Sequence, residues 1–127
     1  MVILDTSVII DHLRRPPKAS FLIKLFESRP QQIFGVSVVA IQELYEGKST
    51  KDEIKENHLL SILGTLEILP YNTEVAKLAG KIARDSAIPI DFADAAVAAT
   101  AIISDGELFT LNEKHFKNIP DLELVRI

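Results

Sequence analysis

Along the chain, short unbroken apolar runs alternate with longer stretches in which apolar residues recur every three or four positions, the pattern of strands exchanging with helices. Val2, Ile3 and Leu4 form the first run, ending at Asp5, and predict a strand buried on both faces of a parallel sheet. Val8, Ile9, Ile10 and Leu13 then follow at helical spacing, with Asp5 or Thr6 as the N-cap and Pro16 and Pro17 as the stop. Phe21, Leu22, Leu25 and Phe26 predict a second helix ending before Pro30, and residues 32–36 a second strand. Ser37 is placed to cap a third helix carrying Val38, Val39, Ile41, Leu44 and Tyr45, with Gly47 at its end.

Residues 51–63 read as a charged amphipathic helix in which Glu53, Lys55 and Glu56 face water while Ile54, Leu59, Ile62 and Leu63 pack. A third strand is expected at 66–69. Asn72 or Thr73 starts the next helix, with Val75, Ala76, Leu78, Ala79, Ile82 and Ala83 as its apolar stripe and Gly80 as a point of close packing. Residues 91–104 are nearly all Ala, Val and Ile beyond their first turn, the signature of a helix buried on most sides. Strands at 107–111 and 122–125, separated by a turn or short helical piece at 112–118, complete the pattern. The alternation predicts an α/β chain: a three-layer α/β/α sandwich around a parallel sheet of four to five strands, one domain over residues 1–127.

Composition narrows the chemistry. With 127 residues, 47% hydrophobic and 25% charged, the chain is long enough to bury roughly two thirds of its unfolded surface without staples. It has no Cys, which excludes disulfides, thiol nucleophiles and sulfur-ligated metals, and suits a reducing interior. The opening residues carry Asp5 inside an apolar run without a basic leader, unlike a signal peptide, and no stretch approaches the ~20 apolar residues of a membrane span. A cytoplasmic protein is expected. Fourteen Lys plus Arg against 18 Asp plus Glu leave a net charge of -4, which argues against holding nucleic acid by bulk positive charge.

The acids at strand ends and helix starts alter that argument. In a parallel sheet, ligands collect beyond the carboxyl ends of the strands, and Asp5 lies there. Alone it reads as a helix cap, and Glu43 alone as a solvated helix residue. Asp91 and Asp94, three apart, share a helix face at the mouth of an apolar helix, where a carboxylate needs a partner or a cation. Carboxylates from separate segments, without Cys and with three scattered His, favour a hard divalent cation held by oxygen, Mg2+ or Mn2+. Such a cation polarises a phosphoryl oxygen and activates water, the logic of phosphodiester cleavage. Together with Arg14, Arg15 and Lys18 it would let an acidic site accept phosphate.

Four segments in order carry a family resemblance: Leu4-Asp5-Thr6-Ser7-Val8-Ile9-Ile10, then Ser37 through Glu43-Leu44, then Asp94-Ala95-Ala96-Val97-Ala98-Ala99-Thr100-Ala101, then Thr110-Leu111-Asn112 with Phe116 after it. The chain resembles the PIN-domain ribonucleases of the VapC toxin type over essentially its whole length. That resemblance implies a metal-dependent endoribonuclease, with Asp5, Glu43 and Asp94 as catalytic metal-site acids and Thr6 and Thr110 supporting them by hydrogen bonds. It also implies a toxin and antitoxin pair, with an antitoxin protein covering the acidic cleft, and a homodimer for which the helix around Phe21 to Phe26 could supply the interface. Many relatives carry Asp where this chain has Asn112. Asn lacks that charge although its carbonyl can still coordinate. A second metal is thereby in question, with Asp91, ahead of Glu113, as the auxiliary acid.

Other candidates are weaker. His12, His58 and His115 lack metal-ligand spacing, although His115 falls near the site in the family layout, where it could contact phosphate. Ser7, Ser37 and Ser61 have no nucleophile-elbow context, and the five glycines form no phosphate loop. The competing reading is a catalytically silent PIN-fold module that keeps antitoxin or RNA binding, supported by Asn112.

Overall fold

The computed structural model describes residues 1–16 and 18–126; Pro17, the second of the prolines expected to stop the first helix, and Ile127 lie outside them. Five parallel strands, β1 (Val2–Leu4), β2 (Phe34–Ser37), β3 (Glu67–Leu69), β4 (Glu107–Phe109) and β5 (Glu123–Leu124), form one sheet in the order β3-β2-β1-β4-β5. Among the described residues six α-helices connect them: α1 (Thr6–Arg14), α2 (Phe21–Ser28), α3 (Val38–Glu46), α4 (Glu53–Leu63), α5 (Thr73–Asp85) and α6 (Phe92–Ile103).

The central strand explains the layering. Val2, Ile3 and Leu4 are fully buried, and because successive side chains of a strand point to opposite faces, both faces of β1 must be covered. Val2 and Leu4 join Val8, Ile9, Leu22, Leu25, Ala40, Leu44 and Leu59, from α1 to α4, on one side. Ile3 joins Val97, Ala98 and Ala101 of α6 on the other, with Leu108 and Phe116. Every residue of α6 from Ala95 to Ala101 is buried, since its inner side meets the sheet while Ala95 and Ala99 meet Val75 and Ala79 of α5. The short side chains let both neighbours approach. The result is the expected α/β/α sandwich.

The order of the strands positions the site. From β1 the chain steps outward to β2 and β3, then α5 and α6 bring it back across so that β4 pairs with the other edge of β1. The direction of winding therefore reverses between β1 and β4, and the crevice beyond the carboxyl ends of such a pair is where doubly wound sheets place ligands. Leu4 stands opposite Phe109, and the Asp5 amide donates to the Phe109 carbonyl at 2.9 Å. Asp5 and Thr110 are thus the first residues past the sheet on either side of the reversal.

Several local expectations are corrected. Residues 51–63 are not one helix: a 3₁₀ turn, Lys48–Lys51, precedes α4, which Asp52 caps by accepting from the Lys55 amide at 3.2 Å. Leu59 and Leu63 of α4 are buried as expected, but Ile54, expected to pack, is 79% exposed: it sits in the first turn, about 140° round the helix from Leu59. Gly80 is not a point of close packing, because a Cβ there would meet open space. Gly106 is the tight position: a Cβ would lie 2.8 Å from the Met1 carbonyl oxygen, to which the next amide, Glu107, donates. Strand β4 stops at Phe109 rather than continuing to 111, since the chain there turns into the site. Ala83, expected in the α5 stripe, is exposed, and in that turn it is its neighbour Ile82 that packs against α6. No helix among the described residues is long and apolar enough to cross a membrane.

Candidate active site

Asp5 is 4% exposed and occupies the N-cap position of α1, yet its side chain makes no cap hydrogen bond. Its Oδ2 instead accepts from Ser7 Oγ at 2.7 Å and from Thr110 Oγ1 at 2.8 Å. Each hydroxyl is oriented by a backbone amide: Leu111 N donates to Ser7 Oγ at 3.1 Å, and Asn112 N to Thr110 Oγ1 at 3.0 Å. A hydroxyl has one proton, and with an amide already on its oxygen that proton is free for the carboxylate. The segment after β4 thereby clamps Asp5 in one rotamer. Sequence reasoning considers Ser7 only as a nucleophile and misses this role; its i, i+2 spacing from Asp5, the reach of an Asx-type contact, is the legible signal for it.

Glu43 reaches the same end of the sheet from α3, whose start is fixed by Ser37 Oγ accepting from Val39 N at 3.0 Å. Thr6 Oγ1 donates to Glu43 Oε1 at 2.7 Å. Burial raises the Glu43 carboxyl above the usual carboxylate range; the Thr6 hydrogen bond opposes this, and the charges of Asp5, Asp91 and Glu46 add to it.

Asp91 and Asp94 enter from the start of α6. Asp91 is the true N-cap, its Oδ1 accepting from the Asp94 amide at 2.9 Å. That bond fixes the first turn and with it the Asp94 side chain. Burial first, and then the negative charges of Asp91, Asp5 and Glu43, push the Asp94 carboxyl up to about 6. The one opposing influence is His115, whose Nδ1 lies 3.2 Å from Asp94 Oδ2.

The fold therefore gathers these acids closely enough for Asp5 and Asp91 to raise both the Glu43 and the Asp94 carboxyls, although as placed no three His, Asp or Glu side chains among the described residues converge on a single ion position. Two hollows meet at Asp91. One, of about 800 Å3, passes Asp94, His115, Lys114, Lys81 and Ile88; the other, of about 260 Å3, is lined by Val39, Gln42, Glu43, Glu46, Asp91, Phe92 and Ala93.

The PIN-domain family model matches residues 2–122, a span that holds all of these side chains. The chain belongs to the PIN-domain family. Ribonuclease VapC19 of Mycobacterium tuberculosis is 30% identical over 126 residues, which cover 97% of this chain and 98% of that protein. Ribonuclease VapC of Rickettsia bellii is 31% identical over 134 residues, covering 99% and 96%. Among solved structures, VapBC2 from Rickettsia felis, bound to a DNA fragment from its promoter, contains a chain that aligns with a TM-score of 0.85 at 26% identity, covering 98% of each chain. FitAcB from Neisseria gonorrhoeae aligns at 0.79 and 26%, covering 99% and 97%.

Within this PIN domain some expected contributors stand elsewhere. Arg14, Arg15 and Lys18 are not beside the acids: they lie at and beyond the last residue of α1, about 13 Å along a nine-residue helix from Asp5. Arg15 pairs with Asp11 there and lies over the Phe21 ring. The cations that do border the site are Lys81 and Lys114. Asn112 is exposed and contributes its backbone amide to Thr110, while Glu113 is held by Arg126 Nη1 at 3.0 Å. His12 is a packing histidine, its Nδ1 sharing a hydrogen bond with Ser20 Oγ at 2.8 Å. On α2, Leu22 and Leu25 are buried in the core and Phe26 packs against Phe34 at 4.7 Å, while Phe21, Ile23 and Phe26 stay partly accessible.

Proposed function

We propose that this PIN domain is a metal-dependent endoribonuclease, the toxin of a toxin–antitoxin pair, in which Asp5, Glu43 and Asp94 hold Mg2+ or Mn2+ and Asp91 assists. The observation that carries the proposal is the gathering of the acids: Asp91 and Asp94 line one hollow, Glu43 and Asp91 line the other, and Asp5 stands close enough to raise both the Glu43 and the Asp94 carboxyls, a concentration of charge that a divalent cation would relieve. The donors are all oxygen, as a hard cation requires. Mg2+ keeps several waters and is commonly held by one or two carboxylates with substrate phosphate, which suits an open cluster better than a closed cage. The names of the VapC relatives and the VapBC structures support the ribonuclease and antitoxin parts.

When bound, the cation would supply Lewis acidity at a phosphoryl oxygen and lower the pKa of water in its shell. The protein's part is preorganisation. Ser7 and Thr110 leave Asp5 no alternative rotamer, Thr6 holds one oxygen of Glu43, and the Asp91 cap sets the height of Asp94. His115 Nδ1 lies where it can exchange a proton with Asp94 or meet an incoming phosphate. A homodimer is part of the same proposal, through a surface other than the buried side of α2.

The test is RNA cleavage by the purified chain with Mg2+, with Mn2+ and with chelator, beside Asp5→Asn and Asp94→Asn. Cleavage confined to the metal-loaded native chain and suppressed by the cognate antitoxin is expected. Cleavage that survives chelation and both substitutions overturns the metal mechanism, and a well-folded chain inert under every condition is the silent binding module instead.

A further inference from the structure

Phe92 is one of the large apolar residues that the fold leaves exposed, and the one that stands beside the acids of the site. It opens α6, one residue after Asp91 and two before Asp94, and it is 68% exposed while the helix from Ala95 to Ala101 is entirely buried. Its ring is not loose: Tyr71 packs against it, with centroids 5.8 Å apart and planes tilted by 57°. It forms one wall of the smaller hollow, together with Gln42 and Glu43, and that hollow has no basic side chain in its lining.

A polyanion entering on this side meets Glu43, Glu46 and Asp91 and no lysine or arginine. Beyond whatever a cation held by the acids supplies, affinity there needs an uncharged contact. An aromatic face is the usual source for a single strand, because every nucleobase has a π-face and stacking is indifferent to charge. We propose that Phe92 is a base-stacking residue that holds the nucleobase next to the scissile phosphate of single-stranded RNA, with Tyr71 fixing the ring and the Gln42 amide within the same hollow as a group for the base edge. The inference rests on the ribonuclease reading above and assigns to the smaller hollow the nucleotide on one side of the cut. A base seated here requires an unpaired strand, since a paired base has both faces covered.

The test uses the full chain, Mg2+ and a short oligoribonucleotide in which 2-aminopurine is moved one position at a time across the cleavage site, with Phe92→Ala, Phe92→Leu and Phe92→Trp. The native chain and Phe92→Trp should quench the fluorophore at one flanking position, and Phe92→Leu, which keeps apolar bulk without a π-face, should not. Phe92→Ala should raise KM about tenfold, the effect of losing one base stack, with kcat little changed. An abasic substitution at the same position should slow the native chain and leave Phe92→Ala indifferent. Unchanged quenching and KM in Phe92→Ala overturn the proposal, as does a variant that cleaves normally but loses self-association or antitoxin binding, which makes Phe92 a protein-contact residue. If the native chain binds and cleaves no RNA at all, the ribonuclease reading fails first, before any substitution is compared.

Discussion

Replacing Asp94 with Asn should inactivate the protein and make it more stable in the absence of metal. Burial and the charges of Asp91, Asp5 and Glu43 hold the Asp94 carboxyl at about 6 against an ordinary 3.8, so the fold disfavours its ionised form. That gap corresponds to about 3 kcal/mol at full weight. The side chain is 18% accessible and lines an open hollow, and screening reduces the expected gain to about 1–2 kcal/mol. Asn keeps the shape and a carbonyl that can still accept from His115, so little packing is lost. The raised pKa sets the pH window. Below pH 4 the native carboxyl is protonated in both folded and unfolded chains and carries no penalty; as pH rises through 6 the stability of the native chain falls by that amount, while the Asn variant is indifferent. Thermal denaturation in chelator should therefore show the variant melting roughly 3–6 °C higher at pH 8 and nearly level at pH 4. A variant less stable than the native chain at pH 8, or a gain of equal size at both pH values, would refute the charge argument.

Three further outcomes follow from the same contacts. Thr110→Val removes a donor from Asp5 and strands the Asn112 amide, and should cost about 1–3 kcal/mol by denaturant unfolding and on the order of ten- to a hundredfold in RNA cleavage rate. Mg2+ at a hundred times its dissociation constant should stabilise the native chain by about 2.7 kcal/mol and leave Asp94→Asn and Asp5→Asn unmoved, a calorimetric reading that needs no substrate. On α4, Leu59→Ala should lose about 2–5 kcal/mol while Ile54→Gln stays within about 0.5 kcal/mol, and equal losses would contradict the difference in burial between the two positions.

The strands and helices were legible because a doubly covered sheet imposes a strong pattern. Val2 to Leu4 without a polar break, and the alanine-rich run after Asp94, need cover on every side, which the middle of a layered fold provides. Helix ends were legible where a cap was present in the letters, as at Ser37 and Asn72. The failures share a cause. The exposure of Ile54, the open surface at Gly80 and the early end of β4 depend on which neighbour lies alongside, and local periodicity does not carry that information.

The same division runs through the site. The types and order of its acids were determined by the sequence, along with the absence of sulfur ligands and the family that these segments resemble. Which charges act together was decided only by the tertiary structure. The reversal of the sheet between β1 and β4 brings Thr110 to Asp5 across 105 positions, and the α6 cap sets Asp94 against His115. The same fold carries Arg14 and Arg15 to the far end of α1, away from the acids they were expected to balance. Electrostatic effects depend on separation and burial, and both quantities exist only once the chain has folded.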